Sequence, residues 1–194
     1  MKNQHQLFLI KENDKYGYID CKGNIVISPQ FDWADNFFEG LARVRVITKI
    51  IKSKIEYEQD DVVYKWGYID KRGKYVIKLK YDWALSFSEG IAVAKIKKKW
   101  GYINKTGKFI IRPQFDEAYS LSYGVGRIKI GAKLQHNSRK RKGGKWGFID
   151  KREKVVITPQ YSDAKDFSGK LALVKVGSKW CYINKTGKFI WEPK

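Results

Sequence analysis

The segment Trp66-Gly67-Tyr68-Ile69-Asp70 recurs, with small changes, five times along this chain. The other copies begin at Tyr16, Trp100, Trp146 and Trp180, so successive copies are 50, 34, 46 and 34 residues apart. One 34-residue unit carrying two insertions accounts for all four spacings. Such self-similarity decides the architecture before local propensity does, because a single unit cannot bury its apolar face and must stack on a neighbour.

Aligned on the motif, each unit reads as three strands. Strand one is Leu41 to Val46, matched by Ile91 to Ile96, Val125 to Ile130 and Leu171 to Val176, with an abbreviated copy at Leu7 to Lys11. Apolar and basic residues alternate along it, the period of a half-buried strand. Strand two is the aromatic, β-branched motif itself. A turn follows, as in Asp70-Lys71-Arg72-Gly73 and Asn104-Lys105-Thr106-Gly107, where Asp or Asn bonds its own backbone and Gly takes positive φ. The fourth copy places Glu153 at the Gly position. Strand three is short, as in Ile25-Val26-Ile27.

The segment returning to the next unit holds an aromatic, an alanine and a second hydrophobe at i, i+3 and i+6, as in Phe31, Ala34 and Phe37. That spacing suggests one helical turn laid over the sheet and ended by Gly40. A 34-residue period also belongs to helical tetratricopeptide arrays, but the glycine turns and β-branched strands exclude them here. Both insertions separate strand one from strand two. Residues 47–63 alternate and read as a projecting β-hairpin; 131–145 hold basic residues with no acid and read as a flexible basic loop.

Forty Lys and Arg against twenty Asp and Glu leave a formal charge of +20. Such a surplus favours nucleic acid, an anionic membrane or an acidic protein face as partner. Hydrophobic residues at 43% argue against disorder. Two cysteines, Cys21 and Cys181, make no disulfide framework, and Leu7 to Ile10 is too short for a signal or spanning segment. A cytoplasmic protein is expected.

Read as Lys-Trp-Gly-Tyr-Ile-Asp, the motif at Lys65, Lys99, Lys145 and Lys179 resembles that of the WG-repeat (KWG-repeat) family. The likeness extends to Asp-Lys-x-Gly-Lys, Val-Ile-x-Pro-Gln-Tyr-Asp and Phe-Ser-Glu-Gly-Leu-Ala, and spans nearly the whole chain outside the insertions. The resemblance implies a bacterial β-repeat protein that binds rather than catalyses. Tyr16 for Trp, Cys181 for Gly, Leu79 for Pro and Ser168-Gly169-Lys170 depart from the pattern.

Chemistry-bearing residues are scarce. The histidines are His5 and His136 alone, so a triad has little to draw on, and zinc-type ligand spacing and phosphate-cradling glycine loops are missing. No metal, cofactor or small-molecule substrate is expected. Asp32, Asp82 and Asp116 recur beside the connecting aromatic and read as turn or capping residues, since a catalytic pair would occur once. The motif tryptophans read as shared core, with Trp33 and Trp83 the better candidates for exposed contacts.

The pointed feature is a basic ladder. Lys11, Arg45, Lys95, Lys129 and Lys175 hold one equivalent position on strand one, with Arg43 and Arg127 two residues earlier on the same face. Together with Arg139, Lys140, Arg141 and Lys142 of the second insertion they form the candidate polyanion-binding set. The expected fold is all-β, five three-stranded units of about 34 residues. They form an open curved array or a five-bladed, propeller-like ring. The expected function is a non-enzymatic module engaging nucleic acid or nucleoprotein, without membrane. The alternative is a protein-interaction module, adaptor or inhibitor, docking on an acidic protein surface.

Overall fold

The computed structural model describes residues 6–52, 61–134, 141–152 and 154–193. Unit one holds β1 (Phe8–Glu12), β2 (Lys15–Ile19) and β3 (Ile25–Phe31). Unit two holds β4 (Trp33–Ala34), β5 (Ala42–Ile51), β6 (Asp61–Ile69) and β7 (Tyr75–Tyr81). Unit three holds β8 (Trp83–Ala84), β9 (Ile91–Ile96), β10 (Lys99–Asn104) and β11 (Phe109–Phe115). Unit four holds β12 (Glu117–Ala118), β13 (Val125–Leu134), β14 (Arg141–Asp150) and β15 (Val155–Tyr161). Unit five holds β16 (Asp163–Ala164), β17 (Leu171–Val176), β18 (Lys179–Asn184) and β19 (Phe189–Trp191). Each unit is one antiparallel sheet with its strands in chain order.

The connecting segment is not helical. In unit two the Asp32 and Asp35 amides donate to the carbonyls of Arg45 and Arg43, both at 3.0 Å, so the segment lies along β5 as a short fourth strand. Its backbone groups find partners across the ladder rather than four residues back. Phe31, Ala34 and Phe37 still face inward, because an extended segment with a bend satisfies the same spacing. Gly40, Gly90 and Gly124 take positive φ in the tight turn leading into strand one.

The second insertion is corrected likewise. Residues 131–134 and 141–145 are strand, with rungs Ala132↔Gly143, Lys133↔Lys142 and Leu134↔Arg141. Gly131 and Gly144 take φ near +80° where the ribbon leaves the sheet, and a Cβ on Gly144 would lie 2.7 Å from the Ala132 nitrogen. Glycine is what lets a basic segment continue as a ladder there. In the first insertion β5 and β6 pair out to Ile51↔Asp61. Residues 53–60 and 135–140 and Glu153 lie outside the described residues.

The motif glycine is fixed by a bulge. Between the rungs Trp66↔Tyr81 and Tyr68↔Ile77, Gly67 alone opposes three residues of β7. A Cβ there would stand 2.6 Å from the Ile77 carbonyl oxygen; at Gly17, Gly101 and Gly147 the same contact would be 2.5, 2.4 and 2.5 Å. Pro29, Pro113 and Pro159 sit in these bulges, where a ladder N–H is not required. In unit five β19 ends at Trp191, before the bulge, and Cys181 is tolerated at the glycine position.

Among the described residues four separate apolar cores lie between the five sheets, each built from two successive units. A closed ring would need a fifth core joining unit five to unit one. Hydrogen bonds between sheets likewise link neighbours: Tyr18 and Tyr68 hydroxyls donate to the Asp35 and Leu85 carbonyls at 2.6 Å, and Tyr102 to Tyr119 at 2.9 Å. The architecture is therefore an open β-array. Among the described residues no helix is long and apolar enough to cross a membrane.

Candidate ligand sites at the joints between units

Strand one and strand two bring each ladder cation directly opposite the motif aromatic: Lys11↔Tyr16, Arg45↔Trp66, Lys95↔Trp100, Lys129↔Trp146 and Lys175↔Trp180. Neighbours on one face of an antiparallel pair interact, and a cation over an aromatic face is the favoured form here. Lys95 stands 5.3 Å from the Trp100 ring centre and Lys129 4.9 Å from that of Trp146. The Arg45 guanidinium stacks 4.1 Å from Tyr64. The ladder is thus a row of cross-strand cation–aromatic pairs.

Several of its members are consumed inside the fold. Arg43 is 13% exposed, ion-pairs with Asp35 at 2.7 Å, covers Trp66 at 4.5 Å and donates to the Ala84 carbonyl of the next unit. Arg127 is 12% exposed, lies over Trp146 at 4.6 Å and donates to the Ala164 carbonyl. Its Nε sits 3.1 Å from Asp166, close enough to pair yet not aimed along a hydrogen bond. Lys129 pairs with Glu117 at 3.2 Å, and exposed Lys11 with Asp14 at 2.8 Å. Arg43 and Arg127 therefore face the neighbouring unit, and a phosphate chain cannot reach them. The reason is length: guanidinium reaches across the joint to a carbonyl that no apolar side chain could satisfy. Lys95 and Lys175 are half-buried and Lys142 is exposed; Arg139 and Lys140 lie outside the described residues, and Arg141 is the outer rung of β14.

The recurring aspartates do more than cap. Asp32 accepts from Lys15 Nζ at 2.7 Å and from the Ile47 amide at 2.6 Å. Asp82 joins Lys65 to the Lys97 amide, and Asp116 joins Lys99 to the Ala132 amide. Each carboxylate ties the motif lysine of one unit to the strand-one backbone of the next. Burial pushes the Asp32 carboxyl up. The hydrogen bonds from Lys15 and Ile47 and the charges of Lys15 and Arg45 outweigh it, so the group lies below its ordinary value.

At the fourth joint this carboxylate is replaced by Ser162, whose hydroxyl turns to the Lys175 carbonyl at 3.1 Å. Among the described residues Lys145, the motif lysine, then makes no ion pair, and neither does Lys175, which stands opposite Asp163 on the ladder. A cavity of about 320 Å³ opens there, lined by Lys145, Gln160, Ser162, Lys175 and Gly177 among others. Nothing in the sequence marked it except the change from Asp to Ser in an otherwise repeating segment.

The third joint differs in another way. Val93 stands where units two and four place Arg43 and Arg127. A cavity of about 450 Å³ lies there, lined by Trp83, Lys95, Trp100, Glu117, Ala118 and Tyr119 among others. Trp100 is half-buried, whereas Trp66 and Trp146 under their arginines are 2% and 5% exposed. The shared-core reading of the motif tryptophans thus applies fully to Trp66 and Trp146, and Trp33 and Trp83 are exposed. Among the described residues no group of three or more His, Cys, Asp or Glu is placed to hold a metal ion.

The model of the WG containing repeat family matches residues 16–46, 66–100, 100–133 and 146–180. No curated protein matches the chain. A solved structure, described as a protein of unknown function from Bacteroides caccae, is similar at 10% identity with a TM-score of 0.27, over 98% of this chain and 78% of its own. That level of similarity carries no argument.

Proposed function

This chain belongs to the WG-containing repeat family, and from that premise we propose that it is a non-enzymatic binding module for a polyanion, nucleic acid or nucleoprotein foremost. The observation that carries the reading is a row of exposed lysines on the hairpins of one edge. All five hairpins joining strand one to strand two fall on one edge of the array, since they occupy the same place in each unit. Two are lengthened, and Lys49, Lys133, Lys142 and Lys145 on them are exposed. This edge, rather than the ladder, supplies the phosphate contacts; the ladder arginines hold the joints. Affinity is then governed by counterion release and depends weakly on sequence.

The test is a mobility shift on single- and double-stranded DNA and RNA at two salt concentrations. Changing Lys49, Lys133, Lys142 and Lys145 to Gln should flatten the salt slope by up to about 0.9 per lost contact on duplex, and about 0.7 on single strands. Changing turn residues Lys71, Lys105, Lys151 and Lys185 removes the same charge elsewhere and should do much less. Equal effects from both sets refute the edge.

One observation favours a second reading, a protein-interaction module. On unit five Tyr182 and Trp191, paired across the ladder, are 39% and 54% exposed, while their counterparts Tyr68 and Ile77 are 0% and 2%. A partner with an acidic rim and an apolar centre would fit this face. Binding that survives nuclease treatment and is lost in Trp191→Asp supports this reading.

A further inference from the structure

We propose that the joint between units four and five is a discrete binding site for one phosphate group, seated where the other joints carry an aspartate carboxylate. The proposal rests on the polyanion reading for its ligand and on the internal repeats for its geometry. At three joints the fold answers how a motif lysine and a strand-one amide are satisfied: Asp32, Asp82 and Asp116 each accept from both. At the fourth joint the same construction continues without its acceptor. Lys145 is the motif lysine, Gly177 supplies the amide at the position of Ile47 and Lys97, and Ser162 is too short and uncharged to bridge them. The cavity that opens is lined by these three residues and by Lys175.

The donor set selects the ligand. Two ammonium groups, neither in an ion pair among the described residues, line a joint that has Ser162 where the others hold the carboxylate of Asp32, Asp82 or Asp116, with Asp163 opposite Lys175 on the ladder. A phosphodiester or phosphomonoester balances that charge and has oxygens enough for both lysines and an amide together. The Gln160 side chain and the Ser162 hydroxyl line the same space and add neutral donors. An aromatic floor comes from Tyr161, buried, and Phe189, exposed, so the group attached to the phosphate has a surface to lie against.

The test uses the whole chain and inorganic phosphate, followed by amide resonances. Phosphate should shift the Gly177 amide saturably. Ser162→Asp supplies the missing carboxylate within the chain, and should weaken phosphate binding at least tenfold while raising the thermal midpoint. Ser162→Ala should change binding less than threefold. Lys188→Gln, on an exposed turn, lowers net charge by one unit as Ser162→Asp does and should leave the site unchanged. If Ser162→Asp does not fold, Lys145→Gln should give the same loss. A Gly177 response that is linear in phosphate, or that survives both substitutions, overturns the site. Nucleic acid binding separates the two claims. Wild-type protein that shifts nucleic acid but shows no saturable phosphate response loses the site and keeps the polyanion reading. Saturable phosphate binding without any nucleic acid shift keeps the site and removes that reading.

Discussion

Replacing Gly101 by alanine tests whether the motif glycine is there for space. Its backbone is not in the left-handed region, so alanine is conformationally acceptable. On chain entropy alone the change would stabilise by about 0.4–1 kcal/mol. The structure reverses that sign. An added Cβ would lie 2.4 Å from the Ile111 carbonyl oxygen and 2.9 Å from the Pro113 nitrogen. A comfortable carbon–oxygen approach is about 3.3 Å, so strand three must back away by close to 1 Å. What must move is backbone held in a bulge, not the end of a flexible side chain. Overpacking of this kind costs about 1–3 kcal/mol, and a net loss of about 1.3 kcal/mol follows once the entropy gain is subtracted. At this chain length that lowers the thermal midpoint by roughly 3–5 °C. Unit three contributes to both middle cores, so the loss is felt on either side of it. The assay is thermal and urea unfolding by tryptophan fluorescence and far-ultraviolet circular dichroism, with Cys181→Ala as reference. That change puts the same residue at the same repeat position where no bulge follows, and should cost about 1 kcal/mol or less. A Gly101→Ala protein that melts at or above wild type would show that close approach does not select the glycine.

Two further outcomes follow from the joints. Arg43→Met should cost about 2–3 kcal/mol, because it leaves Asp35 with only the neutral donors Trp33 and Ser86, unpairs the Ala84 carbonyl and uncovers Trp66. A unchanged urea midpoint would mean that the arginine is a surface charge after all. Burial raises the hydroxyls of Tyr18, Tyr68 and Tyr102, and pushes Tyr81 up to about 12. Folded values above the unfolded one of about 10 give stability that is complete below that pH and lost as pH rises through the folded values. Tyrosinate absorbance should therefore rise in a cooperative alkaline step coincident with loss of the β signal; smooth titration of every tyrosine in a still-folded chain would contradict this.

What the sequence made legible was the periodic part. Five motif copies, their Asp and Asn turns and the alternating strand one all lie where the pattern places them, because a period-two strand and an αL glycine leave a direct trace in residue order. The connecting segment did not, since spacing at i, i+3 and i+6 fits both one helical turn and a bent strand. Choosing between them depends on the neighbouring β5 backbone, which composition does not reveal. At 131–134 and 141–145 the basic insertion is strand for a related reason: charge density argues for solvation, but Gly131 and Gly144 allow the ladder to continue. Residues Arg43 and Arg127 looked like surface cations because alternation assigns a face without saying what covers it. In a stacked array both faces of a sheet meet a neighbour.

The same reasoning locates where binding can arise in such a chain. A repeat whose every unit carried the full network would have its motif lysines tied to carboxylates and its motif aromatics covered by guanidinium, leaving little at the joints to offer a partner. The network is complete at some joints and broken at others. Asp32, Asp82 and Asp116 close theirs, and at Ser162 a cavity lined by Lys145 and Lys175 opens; Arg43 and Arg127 cover their tryptophans, and beside Val93 Trp100 is half-buried next to a second cavity. The residues that the other units carry at these positions show which chemistry each cavity is lined for. The consensus residues specify the scaffold, and the single departures from consensus, invisible to composition and to charge counts, are where this scaffold has room for something else.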